Sequence, residues 1–419
     1  MKKNKTFLAL LFLFISISAF SQSNSLTLDS CYSLARKNYP LIKQYSLIEK
    51  TNEYTVANIA KGFLPRINFT GQATYQSDVT QFPKGIPGAP QLSKDQYRLY
   101  AEVNQPVYDG GVIREQKKLQ EANYEVDKEK LEIELYKLKD RVNQLFFGVL
   151  LMQARLKQNE LLQSDVRHGL EKINAAIANG TALKSSADVL EAELLKTNEQ
   201  ADELASNKNA FTEMLALFIG RKIDSNTVFV TPAEINPGTE IQRPELQLFD
   251  SQGKIFNAQK SLLTVQNRPK LSLFVQAGYG KPALNILSNN FDPFYIAGVR
   301  VTFPISGFYT IKNERNLIEL NRQNIDVQKQ TFLFNTNVVL QQQNEDIIRL
   351  QKIINTDDKI IPLREHIKQT TFAQLNLGVA TSRDYLREVN AENSARQDKI
   401  LHSIQLLMAE HNKQNTVGE

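Results

Sequence analysis

INFTGQATYQ, residues 67–76, alternates without a break. Ile67, Phe69, Gly71, Ala73 and Tyr75 fall on one face of an extended strand, and Asn68, Thr70, Gln72, Thr74 and Gln76 on the other, because successive strand side chains point to opposite sides. At about ten residues the segment also has the length of a tilted, membrane-spanning β-strand. One such segment alone fits a half-buried strand of any sheet. Three more follow it, in two pairs, with very long helical stretches between.

Upstream, Lys2, Lys3 and Lys5 precede an apolar run from Phe7 to Phe20, and Ala19-Phe20-Ser21 offers a small-x-small cleavage pattern. Residues 1–21 are expected to be an export signal, its apolar run being short for a membrane-spanning helix. The sole cysteine, Cys31, lies well past that run. No lipid-attachment cysteine follows the signal, and no intrachain disulfide can form. Three of the charges in the formal net +5 are the leading lysines, leaving +2 on the mature chain, which gives no basis for a nucleic-acid partner. No later stretch holds about eighteen consecutive apolar residues, so the chain can enter a membrane only as strands closed into a barrel, where every backbone group is paired.

Residues 26–61 read as a short helix, a turn at Asn38-Tyr39-Pro40 and a second helix, since proline breaks a helix interior. The strand at about 66–76 leads into a Pro/Gly-bearing loop, 77–96. Tyr97, Leu99, Ala101 and Val103 then alternate with Arg98, Tyr100, Glu102 and Asn104, a second strand over about 97–107. From Val112 to about Ala178 there is no proline, and Leu131, Leu135, Leu138, Val142, Leu145, Val149, Met152 and Leu156 keep a heptad spacing. A helix of that length would run about 100 Å at 1.5 Å per residue, and its seam calls for a helix alongside. It stops at Asn179-Gly180-Thr181, where glycine admits the left-handed conformation, and returns with Leu190, Leu194, Ala201, Leu204, Phe211, Leu215 and Phe218. The pair is a helical hairpin over about 112–219 with Gly180 at its tip, followed by a connector at 221–240.

The same order then recurs. Pro244 and Pro269 stand 25 residues apart, as Pro40 and Pro65 do. Leu271, Leu273, Val275, Ala277 and Tyr279 share one face of a third strand, about 270–280. Tyr295, Ala297, Val299, Val301 and Phe303 share one face of a fourth, about 294–304, with Gly298, Arg300 and Thr302 opposite. A second hairpin spans about 311–412, with Ile353, Ile360 and Ile367 at seven-residue steps, Pro362 as a kink and Gly378 in the position of Gly180. Two structural repeats, 22–220 and 241–419, therefore flank the connector.

Four strands cannot close a membrane barrel, which in single chains starts at about eight. Copies must close it. A dimer would give eight strands with a side-chain-filled bore, and a trimer twelve with room for a lumen. Asn68, Thr70, Gln72, Thr74, Glu102, Asn104, Ser272 and Arg300 suit such a lumen, and Tyr75, Tyr97, Phe291, Phe294 and Tyr295 suit an aromatic girdle at the interface with outer-membrane lipid.

The mature chain resembles the TolC-type outer-membrane efflux proteins of Gram-negative bacteria along essentially its whole length. The resemblance rests on Leu26-Thr27-Leu28-Asp29-Ser30 with Ala35 and Asn38-Tyr39-Pro40, on Leu64-Pro65-Arg66-Ile67, and on Gln105-Pro106-Val107-Tyr108-Asp109-Gly110-Gly111. It rests further on Gly180 with Asp188-Val189-Leu190 and on Gly378 with Asp384-Tyr385-Leu386. It implies an α+β membrane protein: a homotrimer with a twelve-stranded β-barrel in the outer membrane and a long α-helical barrel across the periplasm. It also implies a periplasmic adaptor and an inner-membrane pump of RND, ABC or MFS type as partners, and no cofactor or bound metal. By position, Gly180, Thr181, Gly378, Val379, Thr381 and Ser382 fall at the adaptor-facing periplasmic entrance, and Asp188, Asp384 and Arg387 at its constriction. Arg387 stands where the prototype has a second acidic ring; it reads either as a latch to Asp384 or Glu388 or as one charge of an ordinary helix-surface pair.

Two other classes compete on the residues alone. An enzyme finds no support: His168, His366, His402 and His411 have no metal-ligand spacing, and no nucleophile motif or phosphate loop occurs. A secreted or periplasmic coiled-coil structural or adhesion protein explains the signal and the heptads, but leaves the four alternating strands without a purpose.

Overall fold

The structure, a computed structural model, describes residues 25–81 and 92–419; the expected signal at 1–21 and the middle of the 77–96 loop lie outside the described residues. In chain order the elements are β1 (Ser25–Leu26), α1 (Leu28–Asn38), α2 (Gln44–Ala60), β2 (Arg66–Tyr75), β3 (Asp95–Tyr108), α3 (Val112–Tyr136), α4 (Leu138–Ala178) and α5 (Lys184–Ile219). There follow β4 (Val228–Phe229), α6 (Pro244–Gln266), β5 (Lys270–Lys281), β6 (Asp292–Thr302), α7 (Ile311–Asn376) and α8 (Ser382–Val417). They form two compact units. One holds residues up to Ile42, 133–244 and 332–419; the other holds 43–132 and 245–331.

The first unit is helical. Thr27 caps α1, accepting from the Ser30 amide at 3.2 Å while Ser30 Oγ accepts from the Thr27 amide at 3.1 Å. The cap aims Leu28, Cys31 and Ala35 into a core with Val142, Phe146 and Leu150 of α4 and Leu215 and Ile219 of α5. Burial pushes the Cys31 thiol up to about 12, so it packs and does not react. The Asn38-Tyr39-Pro40 motif is explained here: the Asn38 amide donates to the Ile219 carbonyl at the end of α5, and Tyr39 stacks on Phe218 at 6.1 Å. Asn159 and Gln163, the polar interruptions of the α4 seam, both donate to the Thr197 carbonyl of α5, at 2.8 and 3.3 Å.

One helical expectation is corrected. The single helix read from Val112 to Ala178 is interrupted at Lys137, whose ψ of −17° flattens the turn. Its amide still reaches the Ile133 carbonyl at 3.2 Å, so Leu135 and Leu138 both stay buried and the heptad register survives. Within the single chain Ile360 and Ile367 are 39% and 41% exposed, and the buried positions of α7 are Thr336, Leu340, Leu350, Asp357 and Leu375. Helix α7 runs through Pro362 without interruption.

His411 of α8 lies buried against Phe147, with 5.7 Å between ring centres. Burial depresses its imidazole below the ordinary 6.5, outweighing the opposing influence of Gln414, the Ala233 carbonyl and Asp29. The unfolded chain therefore takes up the proton more readily, so stability present above pH 6.5 is lost as the pH falls through the depressed value. Thermal unfolding followed by circular dichroism should show this acid-side loss, and His411→Phe should remove it. Glu410, whose carboxyl burial pushes upward, is unchanged in that variant, so the difference isolates His411.

The second unit is built on one antiparallel sheet, ordered β2-β3-β5-β6. The strand pairs are joined to each other through β3 and β5, with a bulge between Pro106 and Tyr108. Register aligns the alternation across all four strands: Ile67, Val103, Val275 and Ala297 form one row, and Phe69, Ala101, Ala277 and Tyr295 the next. This apolar face is exposed, Phe69 by 82%. The opposite face is polar, with Asn68, Glu102 and Gln276 in one row. Phe294, read above as part of the girdle, lies on this polar face, 6.3 Å from Tyr100, because its even position points it away from Tyr295. No described helix is long and apolar enough to cross a membrane.

An arginine at Val275, central in β5 on the apolar face, should cost about 2–4 kcal/mol if that face meets lipid at mid-depth. Urea titration of the protein folded in lipid vesicles should show Val275→Arg destabilised by that amount and Asn68→Lys, on the polar face beside Glu102, hardly changed.

Candidate functional site

The two hairpin turns lie in the helical unit and are built alike. After α4, the Asn179, Gly180 and Thr181 amides donate to the carbonyls of Ala175 (3.2 Å), Ile177 (2.9 Å) and Ala176 (2.8 Å). After α7, the Leu377, Gly378 and Val379 amides donate to Ala373 (3.2 Å), Leu375 (3.1 Å) and Gln374 (2.9 Å). Such a turn closes only if the residue after the helix end is left-handed, and Gly180 and Gly378 have φ of +71° and +73°. A Cβ added at either meets no atom within 4 Å, so the demand there is on the backbone and the surrounding space is open. Thr181 Oγ1 also donates to the Ala176 carbonyl. Leu183, Leu377 and Val379 are strongly exposed around the turns, an apolar surface at a helix-pair end.

Of the residues singled out by sequence, Gly180, Thr181, Gly378, Val379 and Thr381 lie exposed at the turns. Ser382 is buried, and its Oγ has no partner among the described residues. Asp188 is exposed on the second turn of α5. Asp384 closes a capping box: Thr381 donates to it from its amide at 3.1 Å and its hydroxyl at 2.6 Å, and the Asp384 amide donates back to Thr381 Oγ1 at 3.2 Å. These hydrogen bonds, with Arg387 contributing least, hold its carboxyl below 3.8. Arg387 pairs with Glu388 at 2.9 Å and stands 3.9 Å from Asp384. Of the two partners open to it, Glu388 is the closer.

Behind the turns the hairpins interlock through residues that sequence reading did not single out for this role. Gly169 of α4 leaves a notch filled by Tyr385 of α8: a Cβ there would stand 2.6 Å from the ring. Tyr385 Oη donates to the Asp165 carbonyl at 3.1 Å, and Val166, Ile173, Leu190, Leu375 and Val389 close the cluster. A signal was available, since Gly148 and Gly169 are the only glycines between Val112 and Ala178; the other takes the Phe211 ring.

Beside this lock, α7 and α8 face each other through ion pairs. Lys368 reaches Asp165 of α4 at 2.8 Å and the buried Glu392 of α8 at 3.5 Å. Arg364 reaches Glu388 at 3.7 Å, Arg396 reaches Glu365 at 3.1 Å and also bonds Glu392, and His402 contacts Asp357 at 2.7 Å. Away from the apolar cluster at the turns, α7 and α8 thus meet mainly through ion pairs. Among the described residues no three His, Cys, Asp or Glu side chains converge to hold a metal ion.

The model of the outer membrane efflux protein family matches residues 31–218. No curated protein matches the chain. Among solved structures, CusC superposes with a TM-score of 0.67 at 13% identity, over 93% of this chain and 92% of that one. VceC from Vibrio cholerae gives 0.66 at 12% identity, over 93% and 96%. The CmeC outer membrane channel of Campylobacter jejuni gives 0.63 at 14%, over 93% and 85%. The fold is the one these proteins share.

Proposed function

We propose that this chain, which has the fold of the outer membrane efflux proteins and matches their family over residues 31–218, is the outer-membrane channel of a tripartite export system. Proteins of this family are passive conduits, not enzymes, and work with an adaptor and an inner-membrane pump. The observation that carries the reading is the four-stranded sheet. Its apolar face is continuous and exposed, and β2 and β6 are edges without a neighbour among the described residues. A bilayer tolerates neither a polar edge nor an unclosed sheet, so copies must complete it, and three copies give twelve strands around a lumen. The polar face then lines the bore and the apolar face meets lipid of the outer membrane, with the helices in the periplasm.

At the hairpin ends, Gly180, Thr181, Gly378, Val379 and Thr381 offer the adaptor a smooth surface with the apolar Leu183 and Leu377 around it. Ser382 supports that surface from beneath. Asp188, Asp384 and Arg387 line the constriction. With Arg387 engaged by Glu388, the ring there mixes signs and the closed state is held by pairs that an adaptor can displace. Extraction of the outer-membrane fraction in mild detergent, followed by mass measurement, tests the assembly. A trimer is expected; a monomer or a soluble secreted species would remove the shared barrel.

A further inference from the structure

The polar face of the sheet has its own charge balance. Register places Arg66, Arg98, Lys270 and Arg300 on it, against Glu102 and Asp292, a balance of +2 per chain. The apolar face carries only Asp95 and Lys281, which pair with each other at 3.5 Å. Both carboxylates of the polar face are engaged. Glu102 accepts from Gln276 Nε2 at 2.6 Å and from Arg300 Nη1 at 3.3 Å, and Asp292 accepts from the Ser288 hydroxyl at 3.1 Å. Arg300 is further held over the Phe274 ring, 4.6 Å from its centre. Arg66, Arg98 and Lys270 have no carboxylate at ion-pair distance among the described residues, and the stretches outside them contain no Asp or Glu.

Three of the four cations converge. Arg66, Lys270 and Arg300 line one cavity of about 720 Å³ with the neutral Asn68, Asn104 and Ser272. Glu102 and Asp109 also border it; Glu102 is engaged by Gln276 and Arg300, and the Asp109 carboxylate is spent on the Gly111 and Ile113 amides at 2.9 and 2.6 Å, at the start of α3. Ile59 and Ile113 give the same cavity an apolar wall. Arg98 repeats the positive charge six residues along the sheet from the row of Arg66, opposite Gln72, roughly 20 Å away at about 3.3 Å per residue.

We propose that this face selects anionic cargo, an amphiphile bearing carboxylate, sulfate or phosphate groups that passes Arg66, Lys270 and Arg98 under net attraction. The proposal rests on the channel reading, in which three copies bring these cations around one bore. Like charges lining a bore with low-dielectric walls raise the local concentration of counter-ions, and the effect weakens as salt shortens the screening length, about 10 Å at 0.1 M.

The test is the zero-current potential of the full-length protein in a planar bilayer under a tenfold KCl gradient. Chloride is expected to be the more permeant ion. Changing Arg66, Arg98 and Lys270 together to glutamine should lower the chloride-to-potassium permeability ratio severalfold, and the difference should shrink as salt rises. Lys270→Gln alone, at the end of β5, should give part of the change and serves if the triple variant does not insert. Cation preference in the unaltered protein, an unchanged ratio in both variants, or a ratio that moves only with Arg387→Asp would overturn the proposal while leaving the channel in place. Absence of any channel events from the unaltered protein would overturn the channel reading, and this proposal with it.

Discussion

Gly180→Val and Gly378→Val are expected to abolish export while leaving the assembled trimer in the outer membrane. Each glycine holds a left-handed φ, +71° or +73°, which a β-branched residue adopts only with strain of about 1–2 kcal/mol. That is small against the packing of helices of 41 and 66 residues, so the fold survives. The turn itself does not, because the Thr181 and Val379 amides must swing away from the Ala176 and Gln374 carbonyls. Gly180→Asn separates the two possible causes. Asparagine tolerates the left-handed region, and its Cβ meets nothing in the isolated chain. Export retained in Gly180→Asn assigns the demand to the backbone; export lost with the trimer intact assigns it to close approach by the adaptor. Normal export in both valine variants would remove the turns from the coupling surface altogether.

Tyr385→Ala should cost about 3–5 kcal/mol, the range for emptying a buried aromatic site, and should loosen the hairpin ends. The ring is buried in the notch over Gly169 and bonds the Asp165 carbonyl, so its loss loosens α8 from α4 near the turns, while Gln158–Asn393 and Asn143–Asn412 still join the two helices farther along. Tyr385→Phe, which keeps the packing and gives up one hydrogen bond, should cost only about 1 kcal/mol. Gly169→Leu fills the same notch from the other side and should add an overpacking cost of about 1–3 kcal/mol. In the double variant Tyr385→Ala with Gly169→Leu the two effects should partly cancel, which a double-mutant cycle reads directly. Single-channel recording supplies the functional readout: larger conductance in Tyr385→Ala and near-normal conductance in Tyr385→Phe are expected. Equal conductance in all forms would mean the lock does not restrain the closed state.

The legible parts of the sequence are those whose physics repeats at short range. Alternation over residues 67–75 needs only neighbours two apart, and the Leu131-to-Met152 heptads need only the next turn, so the strands and the α4 seam stand out. What stayed hidden depends on distant partners. The Tyr385–Asp165 bond joins residues 220 apart, and no local pattern predicts which tyrosine enters which glycine notch. The α7–α8 ion pairs are hidden for the same reason: Arg364, Lys368, Glu388, Glu392 and Arg396 look like a solvated helix face until the partner helix is placed beside them. At the turns, glycine position was legible from duplication. The capping duty of Asp384 is legible too, from Thr381 three residues before it.

The chain crosses between its two compact units four times, after Ile42, Glu132, Pro244 and Thr331. This sets an order in time. Strands β2 and β3 are complete by Tyr108, yet the second neighbour of β3 does not begin until Lys270. As the chain is made, the early strand pair therefore stands without its neighbour, with Ile67, Phe69 and Leu99 uncovered, until β5 follows, residues 109–269 intervening. Unpaired apolar strands are where chains associate wrongly. The arrival of β5, not the closing of any hairpin, therefore sets the earliest moment at which the four-stranded sheet can assemble.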